Sequence, residues 1–84
     1  MIRQRLFSSR EIIRALERAG FAHARSAGSH ASYTRPKPDG SGHHVVVVPL
    51  DKPEVPRGTF ESILEQAHLS YDEFLALARV KRQG

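Results

Sequence analysis

Four consecutive valines, Val45 to Val48, constrain the fold of this 84-residue chain more than any other feature. β-branched side chains favour an extended backbone, so the run predicts a strand over residues 44–49. Successive side chains of a strand point to opposite faces, so this strand carries apolar groups on both faces of a sheet. Two or three short helices hardly cover both faces, and we therefore expect a partner surface. The alternative is a strand that its own chain covers on both sides.

Two further strands are predicted before the valine strand, over residues 21–26 and 30–35. Gly28 permits a tight turn between them. Proline and glycine punctuate residues 36–42, which marks a loop. Such short connections favour an antiparallel meander of three strands.

A capping box opens the first helix. Ser8 and Glu11 have the spacing at which each side chain bonds the backbone N–H of the other. Apolar residues then recur at helical spacing up to Ala19. Gly20 can supply the left-handed residue that ends a helix. These signals predict a helix over residues 9–19.

Two more helices follow the valine strand. An apolar stripe begins near Arg57 and predicts a second helix, which ends at His68. Ser70 and Glu73 repeat the capping box and predict a third helix over residues 71–79. The order α-β-β-β-α-α indicates an α+β domain with a three-stranded antiparallel sheet and helices on one face.

Length and composition limit the organisation of the chain. We expect a single domain over residues 1–84 with a frayed tail at 80–84. The absence of cysteine excludes a disulfide framework and a thiolate metal site. The longest apolar run is far shorter than the ~20 residues of a membrane span, and the N-terminus lacks the apolar region of a signal peptide. We therefore expect a cytoplasmic protein without a membrane partner.

The charge is distributed unevenly along the chain. Residues 1–37 carry a net charge of +6 and residues 38–80 one of −4, within a total of +4. Ten of the 13 basic residues are arginine, which suits bidentate contact with phosphate as well as ordinary salt bridges. The basic first half predicts either a polyanionic partner or a solvated charged surface.

His30 is the histidine best placed for chemistry. It follows Gly28 and Ser29, where a tight turn exposes N–H groups and a hydroxyl beside the imidazole. Arg25 and Arg35, on neighbouring strands, could approach it. Such a histidine can cleave RNA without metal by taking the 2′-OH proton or by protonating the leaving 5′-oxygen. Arginine and N–H groups would stabilise the developing charge. The alternative is a surface histidine in a turn.

Other chemistries find less support in the chain. His43 and His44 are adjacent on a strand and point to opposite faces, so they would not chelate one ion, and we expect no metal site. The sequence contains no nucleophile elbow, phosphate loop or dinucleotide fingerprint. We expect no cofactor.

Short segments with a fixed order and spacing extend over residues 8–75. They read Ser9-Arg10-Glu11-Ile12-Ile13-Arg14-Ala15-Leu16-Glu17-Arg18-Ala19-Gly20-Phe21, Gly28-Ser29-His30-Ala31-Ser32-Tyr33, Val47-Val48-Pro49, Arg57-Gly58-Thr59-Phe60-Glu61-Ser62-Ile63-Leu64, then Ala67, Leu69 and Asp72-Glu73-Phe74. In this arrangement they resemble the HicA (YcfA-like) family of toxin mRNA interferases.

The resemblance implies a double-stranded-RNA-binding-like α-β-β-β-α fold and ribosome-independent cleavage of mRNA. It also implies a HicB-type antitoxin that covers the active site. The family's Gly-Ser-His motif falls on Gly28, Ser29 and His30, and makes His30 the catalytic histidine.

Three features depart from the family pattern. Glu61 and Glu65 face outward on the second helix, where members often carry basic residues. Asp51 stands two residues after the strand-3 proline, where many members have histidine. His68 replaces the glycine of an Ala-Gly-Leu segment. Because histidine adopts the left-handed conformation more readily than most non-glycine residues, we expect it to keep the helix cap.

We therefore expect the toxin of a type II toxin–antitoxin system, a metal-independent endoribonuclease that cleaves mRNA and inhibits translation. His30 would act as general acid or base, and Gly28 and Ser29 would shape the site. Arg25 and Arg35 would contact phosphate.

Two alternatives stay open. One is an RNA-binding module without catalysis. The other is a protein-interaction domain that binds a partner through the valine strand. Replacement of Val46 or Val48 by lysine would then disrupt the complex. A homodimer is also left open.

Overall fold

The computed structural model describes residues 5–79. Three strands form one antiparallel sheet in the order β1-β2-β3, preceded by one helix and followed by two. The elements are α1 (Ser9–Arg18), β1 (Ala22–Ala27), β2 (His30–Pro36), β3 (His43–Pro49), α2 (Arg57–Ala67) and α3 (Tyr71–Ala78).

These elements confirm the predicted α+β fold and its strand meander, and the predicted bounds differ from the observed ones by single residues. The predicted frayed tail, residues 80–84, lies outside the described residues. Within residues 5–79, no helix has the length and apolar character to cross a bilayer.

The sheet has one covered face and one open face. Val46 and Val48 are fully buried in the core that the helices share with β2 and β3. Val45 and Val47 are 50% and 42% exposed, and they define what we call the open face. The valine strand is thus covered on one side only. Lysine at Val46 or Val48 would disrupt the core. The expectation that these two valines bind a partner is therefore wrong, because the exposed valines are Val45 and Val47.

Three phenylalanines join the segment before α1 to the last two helices. Phe7, Phe60 and Phe74 pack with ring centroids 4.9 to 5.4 Å apart. Each is at most 3% exposed. Burial of a side chain of this kind contributes about 1.5–3 kcal/mol. Because the cluster draws on three separate segments, it holds α2 and α3 against the start of the chain.

Both predicted capping boxes are present. The Ser8 hydroxyl accepts from the Glu11 N–H at 3.0 Å, and the Glu11 carboxylate accepts from the Ser8 N–H at 2.9 Å. That backbone N–H is the main reason why the pKa of Glu11 lies below its usual range. Ser70 and Glu73 form the same pair of bonds at the start of α3.

The predicted left-handed cap at His68 is also confirmed, with φ +57° at the end of α2. Gly20 has φ +97° just after α1. The N–H of Phe21 bonds the Leu16 carbonyl at 3.0 Å, so the chain folds back on the helix as it leaves for β1.

A buried serine attaches α1 to the end of β3. The Ser9 hydroxyl donates to the Pro49 carbonyl at 2.6 Å and accepts from the Lys52 N–H at 3.0 Å. Its own N–H bonds the Lys52 carbonyl at 2.9 Å. Ser9 is only 4% exposed, so these bonds satisfy polar groups that water cannot reach. They fix the position of the loop that leaves β3.

We expect Ser9→Ala to lower the free energy of unfolding by about 1–3 kcal/mol, because it leaves buried backbone groups without their hydroxyl partner. Urea denaturation followed by circular dichroism measures the change. Ser62→Ala, at an exposed position of α2, is the matched control and should stay within about 0.5 kcal/mol of the parent. Equal unfolding midpoints for both variants would contradict the assignment.

Candidate active site

His30 lies directly after the hairpin turn that joins β1 to β2. Ala27 pairs with His30, which leaves Gly28 and Ser29 as a two-residue turn. Gly28 has φ +59°, and glycine with positive φ at the first central position is typical of a type II′ hairpin. Apart from Gly28 and its two chain neighbours, no atom of residues 5–79 would lie within 4 Å of a Cβ at this position. The glycine is therefore needed for its backbone conformation, not for space.

Two contacts hold the turn and its histidine in place. The Ser29 hydroxyl lies 3.2 Å from Nδ1 of His30. The Ser29 carbonyl accepts from the Leu50 N–H at 2.7 Å, which joins the turn to the end of β3. Because Ser29 engages Nδ1, Nε2 is the ring nitrogen left for exchanging a proton with a substrate.

A groove of about 600 Å³ runs beside His30, between the end of β3 and the first turns of α2. Ser29, His30 and Pro49 lie on its sheet side. The remaining lining comes from β3, the loop after it, and α2: Val47, Lys52, Pro56, Gly58, Thr59, Ser62, Ile63 and Gln66. Two members of the predicted Gly-Ser-His motif thus line this groove on the described surface.

The start of α2 lies along this groove. Pro56 is the N-cap, and within residues 5–79 no side chain caps the helix. The first N–H groups of a helix have no partner inside it and carry the positive end of its dipole. Gly58 and Thr59 of this first turn line the groove, and Lys52 stands nearby on the same lining. Together they form a region suited to a phosphate.

Sequence reasoning assigned no role to Lys52 or to the start of α2. A helix start at Arg57 without a capping residue before it was a visible signal for exposed N–H groups. Nothing in the sequence placed Lys52 beside His30, because the two are brought together only by the fold.

Arg25 shares the open face with His30. Arg25 pairs with Ser32, two residues along β2 from His30. Such diagonal neighbours have Cβ atoms about 7–8 Å apart, within reach of a long side chain. An irregularity between His23 and Arg25 shifts the register by one residue. His23 therefore packs against Tyr33, with ring centroids 5.5 Å apart, while Arg25 faces the open side.

Arg35 does not lie beside His30. Its Nη1 donates to the Ala19 carbonyl at 2.8 Å, and its Nη2 lies 3.5 Å from the Ala67 carbonyl. The guanidinium also stacks over the Phe21 ring at 4.6 Å. Arg35 is five positions beyond His30 and, by the alternation of a strand, faces the covered side. The expected approach of Arg35 to the site is not found, and its charge instead binds the C-terminal ends of α1 and α2.

We expect Arg35→Met to lower the free energy of unfolding by about 2 kcal/mol, because it removes charged hydrogen bonds to helix carbonyls. Thermal or urea denaturation measures the loss. Lys37→Met removes a nearby positive charge that lacks these bonds and should change stability by no more than about 0.5 kcal/mol. If both variants lost the same stability, overall charge and not the helix-end contacts would be the cause.

A pair of histidines, His44 and His68, lies at the end of β3 away from His30. The rings of His44 and His68 are 4.1 Å apart. Loss of hydration is the main reason why the pKa of His44 is lowered. The positive charges of His68, Lys37 and Arg35 lower it further, and the Asp39 carboxylate opposes the shift. Residues 5–79 contain no group of three or more His, Cys, Asp or Glu arranged to hold a metal.

The lowered pKa of His44 predicts a pH dependence of stability. The unfolded chain, with an ordinary histidine pKa of about 6.5, binds more protons than the folded chain as pH falls through that value. Acid therefore favours unfolding. As the pH is lowered from about 7.5 to 5.5, we expect the free energy of unfolding to fall less for His44→Gln than for the parent. His43→Gln, at the exposed neighbouring position, is the control, and the same pH slope in all three proteins would refute the prediction.

One comparison with known families places this site in context. The family model described as "HicA toxin of bacterial toxin-antitoxin" matches residues 9–69. The match covers α1, the sheet, α2 and the whole lining of the groove beside His30. No curated protein matches the chain.

Proposed function

This chain belongs to the HicA toxin family, and we propose that it acts as the toxin of a type II toxin–antitoxin system by cleaving mRNA as a metal-independent endoribonuclease. One observation carries the proposal. An imidazole in contact with the Ser29 hydroxyl lies at a groove that is also lined by Lys52 and by the first turn of α2, which has no side-chain cap. A proton-transfer group beside a phosphate-binding region is what cleavage of RNA by its own 2′-OH requires.

In the proposed reaction, the ribose 2′-oxygen attacks the adjacent phosphorus and the bond to the 5′-oxygen breaks. The products are a 2′,3′-cyclic phosphate and a free 5′-OH end. His30 either accepts the proton that the 2′-OH releases or supplies the proton that the leaving 5′-oxygen takes up, and solvent water exchanges the other proton. Lys52 and the N–H groups at the start of α2 stabilise the charge on the phosphate oxygens as it develops.

Arg25 supports the same chemistry from the other side of His30. It lies on the open face at β1, whereas Lys52 and α2 lie across the groove beyond β3. A guanidinium offers two parallel donors to a phosphate. We assign it to a phosphate next to the one that is cleaved, and we drop Arg35 from the phosphate contacts because its donors are used by Ala19 and Ala67.

The proposed antitoxin is of the HicB type and covers the His30 groove. Val45 and Val47, exposed on the open face, give such a protein an apolar surface, and Val47 lines the groove together with His30. The proposed substrate, mRNA, makes the cytoplasm the expected compartment.

We expect His30→Ala to reduce cleavage of end-labelled mRNA at least about 100-fold, since a positioned general acid or base contributes about 10²–10⁴-fold. The assay contains EDTA, so that metal-dependent contaminants are inactive. His43→Ala removes an exposed histidine from the end of β3 far from the groove and should cleave like the parent.

Equal cleavage by the parent and His30→Ala would refute the catalytic role of His30. If the folded parent left RNA intact while binding it in a salt-dependent manner, the chain would be an RNA-binding module without catalysis.

A further inference from the structure

A row of arginines on α1 lies outside the groove described above. Arg10, Arg14 and Arg18 are all exposed and stand four residues apart. At 3.6 residues per turn they form one stripe along the helix. Like charges at this spacing destabilise a helix by about 0.2–0.5 kcal/mol per pair. A bound polyanion would remove that repulsion.

Three depressions connect this stripe to His30. The groove beside His30 shares Lys52 with a second depression of about 550 Å³ between α1 and the loop after β3. The second depression shares Arg10 with a third, of about 220 Å³, which Arg14 and Arg18 line together with α3. The shared residues place the three depressions next to one another, from His30 past Lys52 to the stripe.

Hydrogen bonds of Ser9 connect the two regions. Ser9 bonds both the Pro49 carbonyl and the Lys52 N–H, so the start of α1 and the edge of the groove are held as one unit. A ligand that bridges them meets a backbone already arranged, so the cost of ordering falls mainly on the arginine and lysine side chains.

The charge along this surface favours an anion. Four bases, Lys52, Arg10, Arg14 and Arg18, line it, against the carboxylates of Asp51 and Glu11. The Glu11 carboxylate is paired with Arg5 and bonded by the N–H of Ser8. Its charge is therefore largely compensated within the protein.

The arginine stripe lacks the exposed apolar centre typical of a protein interface, and the half-buried side chains of Ile13 and Leu50 line only the second depression. Within residues 5–79, the exposed large apolar side chains are Leu6, Val45 and Val47, and none of them lies on α1. A row of guanidinium groups without an apolar anchor suits the repeated phosphates of a nucleic acid better than a protein partner.

We propose that this surface, which we call the α1 track, binds the phosphate backbone of the single-stranded RNA that flanks the cleaved bond. The inference rests on the proposed function for the position of the cleaved phosphate. Lys52 is the point where the α1 track meets the groove of His30, and Arg10 and Arg14 hold the next phosphates.

The test uses the double variant Arg10→Gln/Arg14→Gln in a His30→Ala background, which binds RNA without cutting it. Two labelled single-stranded RNAs serve as probes, a short one that fills only the groove and a longer one that reaches α1. Arg18 is left in place because its Nη1 donates to the Leu77 carbonyl at 2.8 Å. Lys37→Gln, at the far end of the sheet, removes one positive charge away from α1 and is the control.

For the longer RNA we expect the double variant to lose on the order of tenfold in affinity at physiological salt, with a salt slope smaller by about 1.4. Affinity for the short RNA should not change, and Lys37→Gln should bind both probes as the parent does. Circular dichroism checks that the helices are intact, since glutamine is nearly as good a helix former as arginine.

Two results would overturn the α1 track. They are unchanged affinity for the longer RNA and an equal loss of affinity for both probes. Cleavage by the parent is measured separately. If the parent cuts no RNA but the longer probe still depends on Arg10 and Arg14, the proposed nuclease function fails and the α1 track stands. If the parent cuts RNA but binding of the longer probe does not depend on these arginines, the proposed nuclease function stands and the α1 track fails.

Discussion

Burial of one side of β3 is the constraint on which the rest of this structure depends. Val46 and Val48 are completely buried, while Val45 and Val47 remain about half exposed. The helices therefore pack on one side of the sheet and leave the other open. With only three strands, every open-face residue lies close to an edge or a turn. His30 is one of these residues, and its exposure follows from the same alternation that builds the core.

The candidate site forms where three local structures meet. The β1–β2 turn presents His30, the end of β3 brings Pro49 and the following loop, and α2 begins without a side-chain cap. Each has its own local cause, but the groove exists only because all three meet at one end of the sheet. Ser9 is central to this arrangement, since it bonds the end of β3 from inside α1.

The two arginines assigned to phosphate by sequence show how strand geometry divides residues of one type. Arg25 lies after a register shift in β1 and faces the open side. Arg35 faces the covered side and binds the ends of two helices. On the covered side its charge complements the helix dipoles, and it contributes to stability. The arginines of α1, which sequence analysis noted only as charge, are the ones that remain exposed in a row.

Local signals explain why so much of the fold was predictable. Capping boxes at Ser8 and Ser70, the turn at Gly28 and the valine strand each act within a few residues, and each appears in the structure where the sequence predicted it. The Gly-Ser-His motif likewise lies in one short turn. Only the tertiary structure decided where Lys52 and the start of α2 lie and which groups Arg35 contacts. These features arise from contacts between segments distant in sequence. Whether a side chain meets a groove, a helix end or water is decided by packing, which no local pattern encodes.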